Sequence, residues 1–139
     1  WSGTAFLWGA CPVRFALHPV GHFDAAPAVA PDPDSLRSEL RARLAAGEVR
    51  FRFAVQRFVD ARRTPIEDSA VDWSPAAPAT EIATLLLPSQ RLTDAPDALV
   101  DAIVFDPWNA PPEFRPLGSL NRLRRLAYRQ SRCNCEAGT

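Results

Sequence analysis

The segment from residue 49 to residue 60 constrains the fold more than any other part of the chain. Its apolar residues are two positions apart, at Val49, Phe51, Phe53 and Val55. Side chains two residues apart project from the same face of a β-strand, so the pattern predicts a strand with one aromatic face turned inward. The alternation changes phase near residues 56–58, where we expect a bulge or a bend.

Further strand patterns lie on either side of this segment. Residues 2–8 and 13–18 flank Gly9 and a Cys-Pro step, which predicts a hairpin. Residues 81–87 predict another strand, closed by a proline. Residues 69–73 predict a short edge segment.

Helical periodicity is found in three places. Leucines four residues apart precede Gly47 and predict a helix that Asp34 or Ser35 can cap; they are Leu36, Leu40 and Leu44. Residues 96–103 have a helical pattern, after which several prolines favour an extended path. The last predicted helix runs from about residue 119 to residue 132.

Strands come first and helices come last, which predicts an α+β or barrel-plus-helix arrangement. We treat residues 1–139 as one piece of a single domain. Four strands are too few to close a barrel, and the sequence contains no methionine. We therefore expect that a preceding part of a longer protein completes the sheet.

Charge and composition exclude several classes of protein. Sixteen basic residues, all arginine, balance sixteen acidic residues. The zero net charge argues against a general electrostatic attraction to nucleic acid or anionic lipid. No apolar run has the roughly 18 residues that a membrane span requires. Three cysteines do not form a disulfide framework, and we expect a cytoplasmic protein.

Common catalytic motifs do not occur in the sequence. There is no glycine-rich nucleotide loop, no nucleophile elbow and no zinc-protease motif. Two pairs of residues could bind a metal by type, namely His18 with His22 and Cys133 with Cys135. Pro19 interrupts the histidine pair, so we favour solvated loop histidines, and no further ligand lies near the cysteines, so we do not expect a metal there.

The last helix contains the residues most suited to chemistry. Arg124 and Tyr128 are four residues apart and share one helix face. A guanidinium beside a phenol oxygen favours the phenolate by charge and by hydrogen bonding. A phenolate is a hard oxygen donor that suits ferric iron, as in catalase. The alternative is an amphipathic surface helix whose arginines are solvated.

Four stretches of the sequence together resemble one protein family. They are Phe105-Asp106-Pro107-Trp108-Asn109-Ala110-Pro111-Pro112, Arg124-Arg125-Leu126-Ala127-Tyr128, Pro65-Ile66-Glu67-Asp68 with Trp73, and Pro116-Leu117-Gly118-Ser119-Leu120-Asn121-Arg122. From Arg14 onward the chain is similar to the C-terminal half of the haem catalase superfamily. The similarity is greatest to the branch of small catalase-like proteins and catalase-related peroxidases. It covers about nine-tenths of the chain, with the motifs in the family's order.

The resemblance implies a fold and a haem site. The fold would be the C-terminal part of a catalase-like antiparallel β-barrel, in which residues 88–116 form a wrapping segment that leads to the proximal haem helix. Tyr128 would be the axial ligand of a ferric haem b. Arg124 would be the catalytic charge partner of its phenolate, and Arg132 would contact a haem propionate. The chain departs from the family at Cys135, where full-length catalases have another arginine.

The resemblance also implies a function. We expect a haem-dependent peroxidase or catalase-like oxidoreductase that acts on hydrogen peroxide or organic hydroperoxides. The family's distal histidine and asparagine precede the region present here, so the N-terminal half of the same protein or a partner chain would supply them, in an expected oligomer. Two alternatives are a non-enzymatic catalase-like interaction module and a haem enzyme that modifies a small organic substrate in a biosynthetic pathway.

Overall fold

The fold combines one antiparallel sheet with two α-helices. The computed structural model describes residues 2–21, 35–91, 103 and 105–137, with side chains described as far as Ser131. In chain order the elements are β1 (Phe6–Trp8), β2 (Cys11–Pro19), α1 (Ser35–Ala46), β3 (Val49–Arg57), β4 (Thr80–Leu87), a short 3₁₀ helix (Pro112–Phe114) and α2 (Ser119–Ala137). This composition confirms the α+β class.

The four strands form an open sheet in the order β1-β2-β3-β4, and each strand is antiparallel to its neighbours. The predicted hairpin is confirmed, since β1 and β2 pair across a turn that contains Gly9. In the centre of the sheet Phe15 lies opposite Val55, and Leu17 lies opposite Phe53. The strand pattern of residues 49–60 therefore identifies a central strand of the sheet.

One face of the sheet is aromatic, as the alternation predicts, but its rings are only partly buried. The ring centroids of Phe6 and Phe15 are 5.2 Å apart, and those of Phe15 and Phe53 are 5.6 Å apart. Trp8 adds a ring contact with Phe53 at 6.0 Å and an edge-on contact with Phe114 at 5.7 Å. These contacts connect the sheet to the 3₁₀ helix that precedes α2.

Two details of the strands differ from the predictions. The register shift in the central strand lies between Phe53 and Ala54, and not at residues 56–58. The prediction of an edge segment at residues 69–73 is wrong, because residues 69–71 form a turn and a bend and residues 72–73 are irregular. The Arg14 guanidinium accounts for this difference, since it donates to the carbonyls of Val71 at 2.7 Å and Asp68 at 3.1 Å. Those carbonyls therefore bond a side chain instead of a neighbouring strand.

The buried core lies where the loop after β3 meets the start of β1. Trp73 is fully buried and clusters with Ala5 and Ala77. Partly buried apolar residues pack against the cluster, namely Phe58, Ile66, Val71 and Leu117. Because Leu117 lies immediately before the last helix, this core fixes the base of α2.

The two helices are partly exposed. In α1 only Leu44 of the three periodic leucines is buried. The second helix continues to Ala137, five residues beyond the predicted end. The helical pattern at 96–103 falls outside the described residues, apart from residue 103. In the part of the chain that the structure describes, no helix is long and apolar enough to cross a bilayer.

Candidate functional site

Backbone pairing with β1 positions the segment that leads into α2. Leu7 donates its amide to the carbonyl of Arg115 at 2.9 Å, and Phe6 forms an isolated bridge with Pro116. At the next residue of the segment, the amide of Leu117 donates to the carbonyl of Ala5 at 2.9 Å. The segment before α2 thus runs along the free edge of β1, which sets where the helix begins.

Gly118 allows the chain to turn tightly into the helix. Its φ angle is +89°, and a Cβ atom there would lie 2.5 Å from the carbonyl oxygen of Ile66. A residue with a side chain is disfavoured both by this backbone conformation and by the close contact. The base of α2 is therefore in direct contact with the loop that contains Ile66.

The same loop holds the first turn of α2 through polar contacts. The Ser119 hydroxyl donates to the Glu67 carbonyl at 3.1 Å. The Arg122 guanidinium donates to both carboxylate oxygens of Glu67, at 3.2 and 2.8 Å. The hydrogen bond from Arg122 is the main reason that the pKa of Glu67 is below its usual value, and the same bond raises the pKa of Arg122.

Asn121 is the buried polar residue of the helix base, with 1% of its surface exposed. Its amide nitrogen donates to the carbonyl of Leu117 at 2.7 Å and to that of Ala5 at 3.0 Å. Its amide oxygen accepts from the Thr4 hydroxyl at 3.2 Å and from Nη1 of Arg124 at 3.4 Å. The side chain therefore connects the residues before β1 to the arginine one turn further along the helix.

Tyr128 lies two turns along α2 and is half-buried. The Arg124 guanidinium carbon is 5.9 Å from the centroid of the Tyr128 ring. The Trp108 ring approaches the same phenol edge-on, with centroids 6.2 Å apart and planes at 61°. The structure thus brings together the two residues that the sequence singled out, and it adds an aromatic neighbour.

Trp108 belongs to a motif that supports the family resemblance, but sequence analysis gave it no role at the site. Its amide donates to the Asp106 carboxylate at 2.9 Å, and the amide of Asn109 donates to the Asp106 carbonyl at 2.9 Å. These bonds form a tight turn that presents the indole. The Arg125 guanidinium lies 5.9 Å from the Trp108 ring centroid. The Trp108 ring therefore contacts two residues of α2, Tyr128 and Arg125.

The remaining predicted site residues are placed only in part. Arg132 lies in α2 one turn beyond Tyr128, and its side chain is outside the described residues, as are those of Cys133 and Cys135. His18 lies in β2 opposite Arg52, whereas His22 is outside the described residues. Within the described part of the chain, no cluster of three or more histidine, cysteine or carboxylate side chains is arranged to hold a metal ion.

A cavity of about 470 Å³ lies away from this helix, between the central strands and the loop of residues 69–74. Arg14, His18 and Gln56 are among its lining residues. Arg14 and Phe15 are adjacent in β2 and project to opposite faces. Most of its strand residues project from the face opposite the aromatic rings, although Phe15 is also part of the lining, and Tyr128 is not part of it.

The donor chemistry of the helix face fits an axial haem ligand. A phenol oxygen is a hard donor, and a haem needs a single protein ligand on its proximal side. The Arg124 guanidinium is a positively charged group beside this phenol on the same helix face. No family model matches the chain, and no curated protein matches it either.

Proposed function

We propose that this chain is the proximal, haem-binding portion of a catalase-like oxidoreductase that acts on hydrogen peroxide or an organic hydroperoxide. The observation that carries the proposal is the placement of Arg124 beside Tyr128 on one face of α2. The ordered motifs shared with the haem catalase superfamily support it. In this proposal the antiparallel sheet is part of a barrel, and residues 88–116 wrap toward the haem.

Each residue of the helix face would have a distinct task. Tyr128 would bind the iron of a ferric haem b through its phenolate oxygen, and Arg124 would hold the negative charge on that oxygen. Arg132, one turn further along the helix, would bind a propionate. The haem, when bound, supplies the redox chemistry with peroxide. Trp108 would restrict the movement of the phenol ring and exclude water from one side of it.

Proton transfer to and from peroxide needs residues on the opposite side of the haem. In the haem catalase superfamily a histidine and an asparagine perform this task. We infer that the N-terminal half of the same protein or a partner chain contributes them. The chain described here would then supply the iron ligand and its charge partner, and activity would require the completed site.

Haem reconstitution of the purified protein tests the proposal. The absorbance spectrum should show a ferric high-spin Soret band, and Tyr128→Phe should lose or displace this band because the variant lacks the phenol oxygen. Arg124→Gln should weaken haem binding. Arg129→Gln is the matched control, since it removes an exposed arginine from the same helix and should leave the spectrum unchanged.

Two outcomes would count against the proposal. Absence of haem uptake by the wild-type protein would overturn it and would favour an interaction module that shares the catalase fold. Haem uptake with an identical spectrum in Tyr128→Phe would remove Tyr128 as the ligand. If haem binds as expected, spectral changes on adding peroxide, compared with those on adding small organic substrates, would distinguish a peroxidase from a biosynthetic haem enzyme.

A further inference from the structure

We infer that Asn121 is a positioning residue for the haem ligand, which it controls by orienting Arg124. This inference rests on the proposed function, because the ligand it concerns is Tyr128. The Asn121 side chain bonds to Thr4, Ala5, Leu117 and Arg124. Its effect on Tyr128 would be transmitted through the guanidinium that lies between them.

All the hydrogen-bonding capacity of the Asn121 side chain is used. A primary amide offers two N–H donors and an oxygen that can accept two bonds, and both donors and both acceptor positions are occupied. The group is also almost completely buried. A buried amide with this number of partners has a single orientation, since rotation would break several bonds and leave buried polar groups without partners.

The partners of Asn121 come from two different parts of the fold. Thr4 and Ala5 are buried residues before β1, and Ala5 belongs to the cluster around Trp73. Arg124, in contrast, is a partly exposed residue of the helix face. Asn121 therefore links the rigid core to the long side chain of Arg124. Without this bond the Arg124 side chain would sample several rotamers.

Arg124 needs this support because its contact with the ring is not itself rigid. The guanidinium carbon is 5.9 Å from the Tyr128 ring centroid, near the outer limit for a cation–π contact. The bond from Nη1 to the Asn121 oxygen, at 3.4 Å, restricts the positions that the guanidinium can take. Residues that orient a metal ligand in this way commonly change metal affinity by 10- to 100-fold when they are removed.

Two substitutions at Asn121 separate positioning from simple stabilisation. Asn121→Ala removes all four bonds, and Arg124 loses its partner. Asn121→Asp keeps an oxygen for Arg124 and Thr4 but places a carboxylate against the carbonyls of Ala5 and Leu117. The aspartate variant should therefore be the less stable of the two in chemical unfolding, and yet it should retain the geometry of Arg124 and Tyr128. A purely structural role predicts instead that the less stable variant is also the one in which the geometry of Arg124 and Tyr128 is more disturbed.

Two measurements report on the relative placement of Arg124 and Tyr128. Tyr128 is the only tyrosine in the chain, so tyrosine labelled with ¹³C in its ring gives NMR signals from this residue alone, without haem. Asn121→Ala should shift these signals, whereas Asn121→Asp should leave them near their wild-type positions. In the haem-loaded protein, Asn121→Ala should lower haem affinity about tenfold, and Asn121→Asp should restore most of it. Ser119→Ala is the control, because it removes an exposed bond at the same helix base.

The outcomes distinguish this inference from the proposed function. Unchanged ring signals in folded Asn121→Ala, or equal shifts in both variants, would overturn the positioning role even if haem binds normally. If the wild-type protein takes up no haem, the proposed function fails, and the ring signals still decide whether Asn121 orients the site. If Asn121→Ala does not fold, Asn121→Leu replaces it. That side chain fills the same space but offers no acceptor to Arg124, and unchanged signals there would also overturn the inference.

Discussion

The indole of Trp108 meets the phenol of Tyr128 edge to face, with ring centroids 6.2 Å apart and an interplanar angle of 61°. This geometry is favourable for aromatic pairs, because the positive edge of one ring faces the negative face of the other. The two residues are twenty positions apart in the sequence and belong to different segments. Their contact therefore joins the turn before the 3₁₀ helix to the helix that contains the proposed iron ligand.

The aromatic pair should contribute measurable coupling energy. In a double-mutant cycle with Trp108→Leu and Tyr128→Leu, we expect a coupling of about 0.5–1.5 kcal/mol in urea unfolding. A parallel cycle with Trp108→Leu and Leu123→Ala is the control, since Leu123 is 63% exposed and should show almost no coupling. Equal coupling in the two cycles would mean that the ring contact adds nothing specific.

Gly118 should tolerate substitution much less well than Gly9, although both have positive φ angles. At Gly9, φ is +61° and no atom lies within 4 Å of an added Cβ, so Gly9→Ala should cost about 1–2 kcal/mol of stability from backbone strain alone. At Gly118 the contact with the Ile66 carbonyl adds to that strain, and we expect a total above about 3 kcal/mol. Urea unfolding of both variants measures the difference, and equal losses would contradict the close approach.

Acid should destabilise the fold through Asp60. The backbone amide of Arg63, followed by its side chain, keeps the pKa of Asp60 below its usual value; the corresponding distances are 2.8 and 2.6 Å. A carboxyl whose pKa is lower in the folded state stabilises the protein above its unfolded pKa, about 3.9, and this contribution is lost as pH falls through the folded pKa.

The measurement for Asp60 is the urea midpoint between pH 7 and pH 2. The wild-type midpoint should fall at the acid end, where the carboxylates of Glu67 and Asp72 also contribute, since their pKa values are lowered as well. Asp60→Asn should show a smaller decrease over the same range. A variant with the same pH dependence as the wild type would show that Asp60 does not contribute to it.

The parts of the fold that could be predicted from the sequence are those determined by local periodicity. The central strand and the first helix repeat apolar residues at intervals of two and four, and both are found where expected. Burial is less predictable, because it depends on what covers each face. Leu44 is buried at the point where Ser89 and Gln90 donate to its carbonyl. Leu36, from the same periodic set, is 79% exposed.

The rest of the structure depends on contacts between distant residues, which periodicity does not reveal. Arg14 bonds the carbonyls of residues 68 and 71, so the predicted edge segment there does not form. At the candidate site the spacing of Arg124 and Tyr128 was sufficient to place them on one helix face. The contribution of Asn121 arises from bonds to Thr4 and Ala5, more than a hundred residues away in the sequence, which have no local signature. Trp108 is presented by a local turn at Asp106, but its contact with Tyr128 joins two separate segments and is not visible from spacing.

Arg14 combines three interactions that a lysine cannot reproduce together. Its guanidinium lies 4.5 Å from the ring centroid of the buried Trp73, and it donates to the carbonyls of Val71 and Asp68. Burial is the largest influence on its pKa, which is lowered, although the charges of Asp68 and Asp72 act in the opposite direction. The planar guanidinium can stack on an indole and donate in two directions at the same time.

Arg14→Lys should therefore destabilise the protein although it conserves the charge. We expect a loss of about 1–3 kcal/mol in urea unfolding, from at least one unsatisfied carbonyl and a weaker contact with Trp73. Arg57→Lys is the matched control on the neighbouring strand, because Arg57 is exposed and its replacement should change stability by less than about 0.5 kcal/mol. Near-ultraviolet circular dichroism of the folded variants should change for Arg14→Lys alone, since the asymmetric environment of Trp73 depends on the guanidinium. If both lysine variants match the wild type in stability and spectrum, the loop of residues 68–73 is held by its apolar packing and not by Arg14.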